Sequence, residues 1–251
     1  MATVLLLRHG RTAANADGSL AGRSAVGLDE LGITQSKAVG ERLAGIPLAS
    51  VVSSPLERCR QTLATALPDA APVIEPGLIE CGYGDWEGQS LKTLAKDPLW
   101  RVVQQQPSAV TFPRGESMAA MSARAVAAVR AHDERVTREH GDAALWLACS
   151  HGDVIKAIVA DALGVHLDLF QRIVIDPASV TVIRFVPGRS FVVRVNDTGG
   201  ALGTLVAPPR TRRRRNRRAA AADAAVGGGA GPDSPPETPS ASGRARRPRG
   251  S

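Results

Sequence analysis

Val4-Leu5-Leu6-Leu7 is an apolar run with no polar residue inside it, and it leads directly into Arg8, His9 and Gly10. A half-buried strand alternates apolar and polar side chains. An unbroken run instead predicts a strand covered on both faces, as in a parallel sheet sandwiched by helices. In open α/β sheets ligands bind beyond the carboxyl ends of the strands. This strand ends in a cation beside an imidazole, which suits an anion pocket holding a nucleophile.

The rest of the chain repeats the pattern. Asp29 suits a helix N-cap, and Leu31, Gln35, Ala38, Val39 and Leu43 recur at helical spacing as far as Gly45. Residues 49–53 read as a short strand. Pro55 is expected in the first turn of a helix that carries Arg58 and runs to about Leu67. Residues 72–74 form a weak strand candidate, and a glycine-rich loop from Glu80 to Gly88 follows. Short helical pieces are expected over 91–95 and 98–105. Ser117 opens the longest helix, with Met118, Met121, Ala125, Val129 and Val136 on its apolar face. A second unbroken apolar strand, residues 143–149, ends at Ser150-His151-Gly152-Asp153 and passes into a helix to Leu163. Residues 180–186 and 191–195 read as two strands joined by Pro187-Gly188-Arg189. The expected fold class is α/β, a three-layer α/β/α sandwich with a mostly parallel sheet.

The net charge of +7 invites a nucleic-acid reading, but the charge is unevenly placed. Residues 207–251 hold eleven arginines against three acids, whereas residues 1–206 are nearly balanced at −1. Two regions are therefore expected: a folded domain over 1–206, and a tail over 207–251, rich in Arg, Ala, Gly and Pro, that buries too little apolar area to order. Clustered arginines attract phosphates, so the tail could tether the chain to nucleic acid or an anionic surface. No aromatic residue interleaves with Arg210–Arg218 to stack on bases, and a solvated extension is the plainer reading. Cys59, Cys81 and Cys149 are odd in number and lack CxxC spacing, which points to buried thiols in a reducing cytoplasm. The first apolar run is too short for a signal peptide, and no stretch is long enough for a membrane span.

Arg8, His9, Arg58, Glu80 and His151 are the candidate catalytic residues. Singly, each has an ordinary structural explanation: a solvated arginine, a loop carboxylate, a satisfied histidine. Their order and their places at strand ends carry the argument. Arg8-His9-Gly10-Arg11-Thr12-x-x-Asn15, Ser54-Pro55-Leu56-Glu57-Arg58-Cys59-Arg60-Gln61-Thr62, Glu80-x-x-x-Gly84-x-x-x-Gly88 and Ser150-His151-Gly152 resemble the histidine phosphatase superfamily, the phosphoglycerate mutase-like proteins. The likeness covers about residues 1–200. Tyr83-Gly84-Asp85-Trp86-Glu87-Gly88 looks like the broad phosphatase branch, and the whole is similar to actinobacterial members described as phosphomutases. The resemblance implies a nucleophilic His9, a phosphate pocket of Arg8, Arg58 and His151, contacts from Asn15, and Glu80 as proton donor. Gly10, Arg11 and Thr12 belong to the same substrate-binding motif.

Elementary chemistry fits these roles. A phosphoryl group in transfer spreads charge over its equatorial oxygens, which planar guanidinium forks can hold. Two nearby arginines disfavour imidazolium at His9, so a neutral ring nitrogen can attack phosphorus. Its other nitrogen needs an acceptor, expected to be a nearby backbone carbonyl. His151 adds a donor if protonated. The scheme needs no metal or other cofactor.

Two departures from the family pattern bear on substrate. Position 11 is arginine where many relatives have Glu or Gln; this cation either favours a second acidic group or is solvated. Residues 97–114 lack the paired arginines that mutases use for a carboxylate; Arg101 and Arg114 occur singly. The leading expectation is a phosphomonoesterase acting on a small phosphorylated metabolite through phosphohistidine. A phosphomutase sharing the first half-reaction is the alternative. Sugar phosphates, phosphoglycerates, nucleotide-derived esters and α-ribazole phosphate all fit as partners, and oligomeric state is open.

Overall fold

A computed structural model describes residues 1–200 together with Gly227. Its elements in chain order are β1 (Thr3–Arg8), α1 (Ala13–Ala16), α2 (Glu30–Leu43), β2 (Leu48–Ser53), α3 (Glu57–Ala66) and β3 (Val73–Ile74). Then come α4 (Leu91–Leu94), α5 (Pro98–Gln105), α6 (Met118–His140), β4 (Leu145–Ser150), α7 (Gly152–Leu163), β5 (Val180–Val186) and β6 (Arg189–Asp197). The strands form one sheet in the order β3-β2-β4-β1-β5-β6. β1, β2, β3 and β4 run parallel, and β5 and β6 add antiparallel at one side. The sheet is thus mostly parallel, as its sequence pattern predicts.

The unbroken run in β1 is explained by burial on both faces. Leu5 and Leu7 pack with Val39, Leu43, Cys59 and Leu63 of α2 and α3. Val4 and Leu6 pack into the larger core with Met121, Val129, Ile155 and Val159 of α6 and α7. Each such leucine contributes about 1.5–3 kcal/mol by leaving water, so a polar residue anywhere in the run would expose one layer to solvent or bury a polar group. The helices are capped locally. The Asp29 side chain accepts from Gly32 N, the Ser117 side chain accepts from Ala120 N, and α6 stops at Gly141 with φ of +87°.

The topology creates a crevice. The chain leaves β1 toward β2 on one side, and leaves β4 toward β5 on the other. Adjacent strands whose connections diverge mark the point where α/β sheets bind ligands. β1 and β4 pair in parallel with Arg8 opposite Ser150, so the next residue of each strand, His9 and His151, must lie side by side at the mouth of that crevice.

One expectation is corrected. α3 begins at Glu57 with Leu56 as N-cap, so Pro55 precedes the helix instead of sitting in its first turn. Thr12 caps the one-turn helix α1, its side chain accepting from Asn15 N. The tail expected over 207–251 lies outside the described residues, apart from Gly227, and the domain boundary at 206 lies outside them too. Among the described residues no helix is long and apolar enough to cross a membrane. The three cysteines are free and buried.

Candidate active site

Three parallel strand ends build the floor. β1 delivers Arg8 and His9, β4 delivers Ser150 and His151, and β2 delivers Ser53 and Ser54. His9 N donates to Ser150 O at 3.0 Å, and Ser54 N donates to Cys149 O at 2.9 Å, so the strand pairing continues into the site. The rings of His9 and His151 are 5.2 Å apart, close to the spacing of neighbouring strands.

The His9 ring is fixed at both nitrogens. Nδ1 is 2.7 Å from the carbonyl of Gly10, an acceptor only, so it carries the proton. Arg58 Nε donates to Nε2 at 3.3 Å, so that atom keeps its lone pair. Burial, then the Arg58 and Arg8 guanidiniums, hold the pKa of His9 well below the ordinary imidazole value. His9 is therefore a neutral base in a cationic setting, its Nε2 lone pair facing the Arg58 Nε–H.

Arg58, 2% exposed, is anchored by Nη2 to Gly22 O at 2.7 Å. Buried Arg8 donates from Nη1 to Ile175 O at 2.7 Å. His151 sits against Ser54, with Nε2 2.7 Å from the hydroxyl. Burial, followed by Arg58, His9 and Arg8, lowers its pKa as well. The lowered pKa favours a neutral ring over the imidazolium considered from sequence, and the second nitrogen, Nδ1, lies 3.9 Å from Cys59 Sγ.

Glu80 is 3% exposed, lines the same pocket as His9 and Arg58, and accepts from Cys81 N at 2.9 Å. Its own carbonyl is held by Arg23 and Arg124, each at 3.1 Å. Its pKa is pushed up to about 7, first by burial and then by Asp153. The carboxyl group can thus carry a proton at neutral pH. Thr12 and Asn15 also line the pocket and cap one another, Thr12 N donating to Asn15 Oδ1 at 3.1 Å.

Two residues of the sequence motif are engaged elsewhere. The Arg11 guanidinium is bound to Asp29, Nε to Oδ2 at 2.8 Å, at the start of α2. It is absent from the lining of the pocket that holds His9, Arg58 and Glu80, as are Arg8 and His151. Gly10 N donates to Thr62 Oγ1 at 2.9 Å, away from substrate, and a Cβ on Gly10 would come within 2.5 Å of Gly32 O. Gly10 is needed for close packing on α2. Arg101 lies on Gln105 and Arg114 pairs with Asp85; neither lines the His9 pocket.

Sequence reasoning missed Tyr83 and Asp153. Tyr83 is fully buried, lines the pocket and donates from its hydroxyl to Asp153 Oδ2 at 2.9 Å. The signal was present: Asp153 and Lys156 are two charges in the first turns of a largely apolar helix. It also missed Gly227, which donates to Asp153 Oδ2 at 3.0 Å and accepts from Arg8 Nη2 at 3.2 Å. With Gly227 there, the pocket volume is about 20 Å³, roughly one water's worth.

Comparisons with known proteins give matches over most of the chain. The histidine phosphatase superfamily (branch 1) profile matches residues 4–198. The bifunctional protein Rv2228c of Mycobacterium tuberculosis is 35% identical over 203 residues, 78% of this chain and 54% of the relative. The chain therefore spans about half the length of that relative. Phosphoserine phosphatase 1 of Hydrogenobacter thermophilus is 30% identical over 205 residues, 79% of this chain and 93% of the relative. Among solved structures, Bacillus stearothermophilus YhfR superposes with a TM-score of 0.70 at 27% identity, covering 78% of this chain and 98% of that one.

Proposed function

The chain belongs to the histidine phosphatase superfamily, and from that premise we propose that it is a phosphomonoesterase that hydrolyses a small phosphorylated metabolite through phosphohistidine at His9. The observation that carries this reading is the tautomer of His9, with Nδ1–H on a carbonyl and an unprotonated Nε2 facing the Arg58 Nε–H, in the same pocket as a carboxyl group whose pKa is raised to about 7.

In the first step Nε2 of His9 attacks phosphorus while the bond to the ester oxygen breaks. Glu80 gives its proton to that oxygen, which leaves as an alcohol. Positive charge grows on the imidazole and is met by the Gly10 carbonyl on Nδ1–H. Arg8 and Arg58 hold the equatorial oxygens, and the His151 N–H adds a neutral donor. In the second step the Glu80 carboxylate takes a proton from water, oxygen attacks phosphorus, and the N–P bond breaks. Phosphate, neutral His9 and protonated Glu80 result.

The test measures inorganic phosphate release across metabolite phosphomonoesters, O-phosphoserine among them, alongside interconversion of 3-phosphoglycerate isomers. Phosphate release with acid-labile phosphate on His9, lost in His9→Ala, is the expected result. Isomer interconversion without net release would make the protein a mutase, and full activity in His9→Ala would remove the nucleophile.

A further inference from the structure

Glu80 lies between β3 and α4 in neither a strand nor a helix. Backbone carbonyls in such a stretch must find partners elsewhere. Three of them share one side chain of α6. The guanidinium of Arg124 donates from Nη1 to Gly77 O at 2.8 Å and Ile79 O at 2.7 Å, and from Nη2 to Glu80 O at 3.1 Å. Its other N–H groups hold Glu116, Nε to Oε1 at 2.7 Å and Nη2 to Oε2 at 2.9 Å. All five guanidinium donors are thus engaged. Glu116 also pairs with Arg23, whose Nε gives Glu80 O a second hydrogen bond at 3.1 Å. Two cations joined by one carboxylate therefore converge on a single carbonyl oxygen.

That carbonyl belongs to the same planar peptide unit as the N–H of Cys81. Cys81 N donates to Oε1 of Glu80 at 2.9 Å. Whatever fixes the C=O end aims the N–H end, and the N–H end holds the carboxyl group. Oε1 is occupied as an acceptor, which leaves Oε2 to carry the acidic proton. Two guanidiniums on the oxygen also polarise the peptide and strengthen its N–H as a donor.

We propose that Arg124 is a positioning residue for proton transfer: by clamping the Glu80 carbonyl, with Arg23 and Glu116 completing the clamp, it orients the Glu80–Cys81 peptide and so aims the Oε2 proton at the leaving oxygen. This rests on reading Glu80 as the general acid.

The test uses Arg124→Lys in the full chain, which keeps the charge but cannot span three carbonyls and a carboxylate. Arg23→Ala, at a side chain 40% exposed, removes the second donor and decides the matter if Arg124→Lys fails to fold. Values of kcat for an alkyl phosphate and for p-nitrophenyl phosphate are compared, with the inhibition constant of inorganic phosphate measured alongside. A misaimed acid is expected to cost about tenfold or more in kcat on the alkyl phosphate, and about twofold or less on p-nitrophenyl phosphate and on phosphate binding. In a Glu80→Gln background the same substitution should add no selective loss. A purely structural role would lower both substrates together. Equal losses, or none, in a folded variant overturn the proposal even where Glu80→Gln is selective against the alkyl phosphate. Equal losses in Glu80→Gln itself would instead remove the general-acid reading, and the positioning role with it.

Discussion

Arg58 points its Nε–H at Nε2 of His9 from 3.3 Å, while its Nη2 is tied to the carbonyl of Gly22. One side chain therefore holds the proposed nucleophile unprotonated and keeps a guanidinium edge beside the attacked phosphorus. Lysine cannot do both, because a point charge on a flexible stem lacks the fork. Arg58→Lys is expected to lower kcat/KM by about 10²-fold or more, with a thermal melt showing that the fold persists. A loss under threefold would mean that Arg58 acts only by its charge.

Glu80→Gln keeps the shape and removes the proton. Turnover of alkyl phosphates is expected to fall by about 10²–10⁴-fold. p-Nitrophenyl phosphate, whose leaving group needs little protonation, should lose far less. Equal losses on both substrates would take the acid role from Glu80.

The pH profile follows with a definite sign. Glu80 must be protonated for the first step and titrates near 7, so kcat/KM for an alkyl phosphate should decline as pH rises through about that value. His9 is held neutral well below the ordinary imidazole range. It should therefore impose no loss of activity through the usual histidine pKa of about 6.5. An activity that climbs between pH 6 and 8, assayed as about a tenfold gain, would reverse both assignments.

Gly227 engages Arg8 and Asp153 through one residue. Hydrogen bonds of this kind are worth about 0.5–1.5 kcal/mol each, so a phosphate ester that used Arg8 would compete with them. Removal of residues 207–251 is expected to lower KM for small phosphate esters severalfold with little change in kcat. A KM that stays put would mean that the Gly227 contact has no weight in solution.

Much of this protein was legible in its residues. The unbroken run in β1 required burial on both faces, and Leu5 and Leu7 do face one core while Val4 and Leu6 face the other. Asp29 and Ser117 announced their helices because capping is a matter of a few neighbouring atoms. Arg11 and Gly10 show that a residue's place in a motif does not say which protein partner it meets. Arg11 found Asp29 at the start of α2, and Gly10 found the backbone of Gly32.

What the amino-acid sequence determined by itself is local: the strand and helix periods, the caps, and an inventory of arginine, histidine and carboxylate at strand ends. The tertiary structure decided which of these meet. Parallel pairing of β1 with β4, with Arg8 opposite Ser150, sets His9 beside His151 across more than a hundred residues of chain. The fold of α7 against the Tyr83 loop likewise sets Asp153 behind the pocket. The physical reason is range. Burial patterns and capping act within a turn or a pleat, whereas strand order, register and the electrostatic neighbours of a buried group exist only once distant segments have packed.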